Sequence, residues 1–165
     1  PPMPAIPPTD IQEVFRHLPH RYPFVLVDFV EGGEAGEWVR AVKHVSVDEP
    51  FFTTVGDEKP AMPGTLIVEA LAQAGGVLCF FSGLLKPRGG STTYLAAMDE
   101  VRIGRPALAG ETIVLVCRLK RALRGVLRLE GRATIGDEMV AEAKLTMVVR
   151  DTPDDMAGSD PRSAS

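Results

Sequence analysis

Glu69 is the single charge in the apolar stretch 63–85, PGTLIVEALAQAGGVLCFFSGLL. A carboxylate is costly to bury unpaired, so in such surroundings it has a task or a partner. Gln73 follows one helical turn later and is placed to hydrogen-bond it. Cys79 and Cys117 show no metal-ligand spacing and read as buried thiols of a reducing compartment. No metal site and no cofactor are expected. A net charge of −4 over 165 residues argues against a general nucleic-acid binder.

The element that must carry Glu69 is a helix over 63–85. Pro63 suits the first helical position, where its missing N–H costs nothing. Leu66, Ala70, Leu71, Ala74, Leu78 and Phe81 recur at helical spacing, yet apolar residues occupy the other faces too. Such a helix is buried or spans a membrane. At about 1.5 Å per residue it reaches roughly 34 Å, enough for either. Glu69 and Gln73, the small residues Ala72, Gly75 and Gly76, and flanks (Lys59, Lys86) without charge asymmetry favour a buried helix, and no membrane span is expected.

Around it the chain reads as one domain over 9–150, after a flexible Pro-rich start (1–8) and before a polar, disordered tail (151–165). The start lacks the basic and apolar regions of a signal peptide, so a cytoplasmic protein is expected. Thr9 and Asp10 can cap a short helix that Pro19 ends. FVLVDFV (24–30) reads as a strand, Gly32 and Gly33 as a turn, and 38–47 as a strand with Val39, Ala41, Val45 and Val47 on one face. Strands are predicted over 93–103 and in three later segments that alternate apolar with polar residues. Turns at 123–125 and Gly136–Asp137 join those three into an antiparallel meander. The fold class is α+β, a long central helix wrapped by a curved, mostly antiparallel sheet.

Three segments carry a family resemblance: LPHRYPFVLVD (18–28), KPAMPGTLIVEALAQAGG (59–76) and YLAAMDEVRIGRPALAGE (94–111). In sequence, order and spacing they resemble the β-hydroxyacyl-acyl-carrier-protein dehydratases of type II fatty acid synthesis. EPFF (49–52) and EGRATIGDEMVAEAKL (130–145) fit the same frame, so the resemblance covers residues 10–149. It implies the hot-dog fold, tight dimers often assembled into trimers of dimers, and an acyl tunnel at each dimer interface. It also implies a substrate carried as an acyl carrier protein or coenzyme A thioester. The family's reaction converts a β-hydroxyacyl thioester to the trans-2-enoyl thioester. A loop histidine removes the α-proton, a helix carboxylate of the other subunit handles the leaving hydroxyl, and the N–H at the helix start polarises the thioester carbonyl. Carried over by motif, the carboxylate is Glu69 and the donor is the Gly64 N–H. Gln73 supports Glu69, Tyr94 matches a tunnel-gating tyrosine, and Phe52, Met62 and Pro63 line the substrate.

The chain departs from this pattern in one loop. The family reads close to FFxGHFPxxPxMPG, and this chain reads FFTTVGDEKPAMPG, which puts Val55 at the histidine position. Valine can neither take nor give a proton. Asp57, two residues on in a glycine-containing loop, is a candidate replacement, although a turn-forming role explains it as well. His20 reads as structural, His44 as a surface histidine and His17 as a helix-end residue. Glu58 and Lys59 read as a solvated pair. The cluster Arg118, Lys120, Arg121 and Arg124 suits either docking of an acidic carrier or the polar face of a hairpin, and Arg102 and Arg105 share that ambiguity. Three functions stay open. The first is a dehydratase with a replacement base or a reoriented water. The second is a non-catalytic or half-catalytic subunit completed by a histidine-bearing partner. The third is a hot-dog thioesterase using Glu69.

Overall fold

The computed structural model describes residues 3–18, 24–52, 60–86 and 90–151. His20, Val55, Asp57 and the Glu58–Lys59 pair lie outside the described residues, as do the side chain of His17 and residues 152–165 of the expected tail.

In chain order the elements are β1 (Ala5–Ile6), α1 (Ile11–His17), β2 (Phe29–Glu34), β3 (Trp38–His44), β4 (Ala61–Met62), α2 (Gly64–Phe81), β5 (Ser91–Ile103), β6 (Ala107–Leu108), β7 (Thr112–Leu123), β8 (Val126–Ile135) and β9 (Glu138–Asp151). Seven strands form one sheet in the order β1-β2-β3-β7-β8-β9-β5, and β4 and β6 form a small second sheet. Every pairing is antiparallel.

The helix α2 packs against β3, β7, β8 and β9 on one side and α1 on another. From Ala70 to Cys79 every residue is buried, as the all-round apolar pattern requires. Two glycines set the closeness of this packing. A methyl on Gly75 would stand 3.1 Å from Leu129 Cδ2 in the sheet, and one on Gly76 would stand 3.2 Å from Leu18 Cδ2 beyond α1. By length and composition α2 could cross a membrane, but 67% of it is buried inside the fold.

Several boundaries differ from the sequence expectation. Pro63 is the N-cap of α2 rather than its first residue, because its ψ of 134° is extended. The helix stops at Phe81, not at residue 85. Gly83 takes a φ of 69°, its N–H reaches the Phe80 carbonyl and the Leu84 N–H reaches the Cys79 carbonyl, a Schellman ending. Residues 24–28 are not a strand: the Phe24 carbonyl and the Leu26 N–H bond a helix side chain described below, and the Asp28 N–H reaches the Val42 carbonyl on β3. Gly32 and Gly33 lie within β2, where a methyl on Gly33 would stand 2.2 Å from the Trp38 carbonyl oxygen, and the turn comes at residues 35–37. Of the predicted face on 38–47, Val39, Ala41 and Val45 are buried, but β3 ends at His44 and Val47 is 61% exposed. Asp10 caps α1 by accepting from the Glu13 N–H, while Thr9 pairs with Val30 instead. The Pro-rich start enters the sheet at β1, with Ile6 buried, and β9 continues through Asp151.

The last three strands follow the predicted meander. Arg124 (φ 49°) and Gly125 (φ 77°) form the two-residue turn between β7 and β8, the left-handed pair that a type I′ hairpin requires. The other edge strand, β5, is long and almost wholly exposed. Tyr94, Leu95, Met98, Val101 and Ile103 all stand open to solvent on it, and two register shifts interrupt its pairing with β9.

Candidate active site

Glu69 sits half-buried in the first half of α2, where one partner is fixed by helical spacing. The Gln73 amide, one turn on, donates through Nε2 to Glu69 Oε1 at 3.1 Å. That amide is 2% exposed and makes two further bonds: Nε2 donates to the Phe24 carbonyl at 2.7 Å, and Oε1 accepts the Leu26 N–H at 2.8 Å. Gln73 thus ties residues 24–26 to the helix and holds the carboxylate in place. Its amide is satisfied on both the donor and the acceptor side, the condition for burying it at low cost.

The helix start lies five residues before Glu69. Met62 is buried on β4, Pro63 caps the helix, and the N–H of Gly64 has no acceptor within the helix. The Gly64 N–H and Glu69 are about 7 Å apart along the axis and roughly 140° apart around it. Phe52 is half-buried against the core and stacks on Phe51, with ring centroids 6.1 Å apart.

The structure pairs Gln73 with Glu69, while Met62, Pro63 and Gly64 stand at the helix start on a different face of α2. It does not bring Tyr94 to them. Ile103, at the far end of β5, is the residue that lies against Gly64, and Tyr94 is roughly 25–30 Å back along the strand.

A buried ion cluster escaped the sequence reading. Lys43 is 4% exposed, and its Nζ lies 2.6 Å from Glu49 and 3.3 Å from Asp28 while donating to the His44 carbonyl. It joins β3 to the segment before β2 and to the segment that carries Phe51 and Phe52. Its one sequence signal is a lysine beside Val42 where strict alternation breaks. Burial pushes the Cys79 and Cys117 thiols up to about 12, so both are neutral and neither is a nucleophile. His44 is a surface residue whose Nδ1 lies 3.1 Å from Thr112 Oγ1. No cluster of metal-ligating side chains occurs among the described residues.

The basic residues separate into two groups. Arg102 pairs with Glu142, and Arg105 with Glu111 and Glu138. Among the described residues, the lysines and arginines without an ion pair are Arg118, Arg121, Arg124, Arg128 and Arg150. Four of them lie on the β7–β8 hairpin, and Arg121 stands directly opposite Arg128, a like-charge placement that costs stability. A cavity of about 280 Å³ is lined by Arg121, Leu123, Arg124, Val126 and Arg128. Val126 pairs with Val148 and Val148 with Tyr94, so this basic end lies two strand spacings, about 10 Å, from Tyr94.

The FabA-like domain matches residues 18–144. The chain is 42% identical over 144 residues to the 3-hydroxyacyl-[acyl-carrier-protein] dehydratase FabZ of Thiobacillus denitrificans, covering 87% of this chain and 99% of that one. Among solved structures it resembles the dehydratase heterocomplex ApeI:P from Xenorhabdus doucetiae, with a TM-score of 0.71 at 21% identity over 86% of this chain and 92% of that one. It also resembles a hot-dog-like protein from Thermanaerovibrio acidaminovorans, with a TM-score of 0.58 at 21% identity over 72% and 84%. The chain has the hot-dog fold and belongs to the FabA-like family, among relatives named 3-hydroxyacyl-[acyl-carrier-protein] dehydratases.

Proposed function

We propose that this chain is a β-hydroxyacyl-thioester dehydratase of fatty acid or related acyl-chain synthesis whose own site is impaired at the general base. The observation that carries the reading is Glu69, held by Gln73 five residues after the helix-start glycine in a chain that has Val55 where the family has histidine. In dehydration the α-proton is removed, the bond from the β-carbon to its hydroxyl breaks, and the hydroxyl leaves as water. Glu69 gives that hydroxyl its proton, and the Gly64 N–H stabilises charge on the thioester oxygen. Nothing at position 55 takes the α-proton. Asp57 is a weak replacement.

A dimer formed along β5 suits this chemistry. The open edge of β5 carries five exposed apolar side chains, and a two-fold pairing there turns one chain's Tyr94 toward the other's Gly64 end. A trimer of such dimers is the larger assembly the family uses. The unpaired arginines beside Tyr94 suit an acidic acyl carrier protein better than a small thioester. Two neutral, unbridged thiols suit a cytoplasmic protein. The alternative, a half-catalytic subunit, is favoured by one contrast: the proton donor and its support are intact, and only the base is gone. A histidine-bearing partner chain then completes one site with Glu69.

The test is enoyl hydration and β-hydroxyacyl dehydration by the purified chain, on carrier protein and on coenzyme A, following enoyl absorbance and free thiol. Activity is expected to be about 10²–10⁴-fold below that of Val55→His, the usual worth of a general base. Glu69→Gln is expected to abolish what remains. Equal rates for the chain and Val55→His would sink the impairment, and release of thiol would point to a thioesterase instead.

A further inference from the structure

Most helices start with a side-chain cap, and α2 does not. Pro63 offers no side-chain hydrogen bond, and no acidic residue lies in the first turn. What holds the helix start comes from residues 103–111, which pass around it. At one end Ile103 lies so close that a methyl on Gly64 would stand 2.4 Å from Ile103 Cγ2. Further along, β6 pairs with β4, Ala61 opposite Leu108 and Met62 opposite Ala107, and the Ala109 N–H donates to the Pro60 carbonyl. The segment therefore touches the chain both before and at the first helical residue.

The two ends of this strap are locked by one ion pair. Arg105 presents a guanidinium fork to Glu111, Nη1 at 2.9 Å from Oε2 and Nη2 at 3.0 Å from Oε1. The same Oε2 accepts the Leu108 N–H at 2.8 Å, so the carboxylate fixes β6 directly. Arg105 also donates to the Pro106 carbonyl and to Glu138 on β9. Backbone bonds between Val45 and residues 110 and 111 join the strap to the end of β3. A fork that meets both carboxylate oxygens fixes orientation as well as distance, and lysine cannot reproduce it.

We propose that Arg105 and Glu111 are positioning residues for the reaction: through β6 and β4 they set where the Gly64 N–H points. This rests on the dehydratase reading, in which that N–H meets the thioester oxygen. A donor of this kind acts only when aligned on the oxygen, and misplacement by about 1 Å can cost a hundredfold. Arg105 and Glu111 touch no reacting atom themselves.

The experiment follows the Gly64 amide by NMR in the full-length protein during titration with hexanoyl-pantetheine, a saturated thioester that cannot be dehydrated. In the wild type this amide is expected to shift downfield as the probe binds. In Arg105→Lys and Glu111→Gln the shift at saturation shrinks and the dissociation constant rises about tenfold, the scale of one charge-assisted hydrogen bond lost. Amides of β7 and β8 keep their wild-type positions, and Glu138→Gln, which removes only the exposed partner, behaves as wild type. Should Arg105→Lys fail to fold, Glu111→Gln, which keeps an acceptor for the Leu108 N–H, carries the same comparison. A wild-type Gly64 response in a folded strap variant overturns the positioning role. A wild-type amide that ignores the thioester overturns the dehydratase reading of the helix start, and the inference with it.

Discussion

Replacing Gln73 by methionine removes three hydrogen bonds from the centre of the site while nearly conserving shape. The cost comes mainly from what is orphaned. Leu26 is 1% exposed, so its N–H loses an acceptor with no water to replace it, about 1–3 kcal/mol. Phe24 is 64% exposed, so its carbonyl is rehydrated at little cost. The change of shape adds less than about 1.5 kcal/mol. The expected loss is roughly 1–4.5 kcal/mol, or about 2–18 °C in Tm for a domain of this size. Urea unfolding at constant m-value measures the loss, and hydrogen exchange at the Leu26 amide localises it. Exchange should rise at residues 24–26 before it rises in β7 or β8. A loss below about 0.5 kcal/mol, with Leu26 as protected as before, would refute the claim that Gln73 fastens this segment to the helix.

Two further outcomes are expected. Burial raises the Cys79 and Cys117 thiols from 9.0 to about 12, with the neighbouring Cys79 adding to the effect on Cys117. The unfolded chain releases these protons near pH 9 while the folded chain keeps them, so their contribution is full below pH 9 and is lost as pH climbs toward 12. Each thiol adds a slope of about 1.4 kcal/mol per pH unit in that window. Between pH 8.5 and about 10.5 the stability of the wild type in urea unfolding should therefore fall more steeply than that of a Cys79→Ala, Cys117→Ala double variant, and parallel curves would contradict it. The second outcome concerns the basic hairpin. Reversing Arg121, Arg124 and Arg128 to glutamate should weaken binding of a hexanoyl carrier protein at least about tenfold and leave hexanoyl-pantetheine unaffected. Equal effects on both ligands would remove the hairpin from carrier docking.

How much of this was legible depended on whether the cause was local. The core helix was, because an apolar run with one charge admits few alternatives. Its ends were not, since Pro63 and Gly83 act through backbone angles that no periodicity reports. The strands β7, β8 and β9 announced themselves by alternation between turn signals. Residues 24–28 looked like another strand because they are mostly apolar, but the Phe24 carbonyl and the Leu26 N–H bond a side chain in a distant helix. Glu69 stood out as a lone carboxylate, and the motif around it supplied Gly64. Arg105 and Glu111 did not stand out, as a loop arginine and a loop glutamate read the same whether they hold a helix start or face water. Tyr94 was matched to a motif position, yet only the register of β5 and the contact of Ile103 with Gly64 show that it stands far from the chain's own helix start.

The pairing of β3 with β7 sets the order in which the protein can come to life. Val42 meets Val114 across a loop of about seventy residues, and that loop contains β4, all of α2 and the whole strap. Contacts so far apart in sequence make folding slow, on the scale of milliseconds to seconds rather than microseconds. On the ribosome the chain emerges at about 5–20 residues per second, so Glu69 and Gln73 exist for seconds before β7 is available to close the sheet over them. During that interval the helix offers its apolar surface to whatever is near. A nascent chain stalled before Thr112 is therefore the form most exposed to chaperones and to aggregation, although it already holds Gly64, Glu69, Gln73 and both ends of the strap, Arg105 and Glu111.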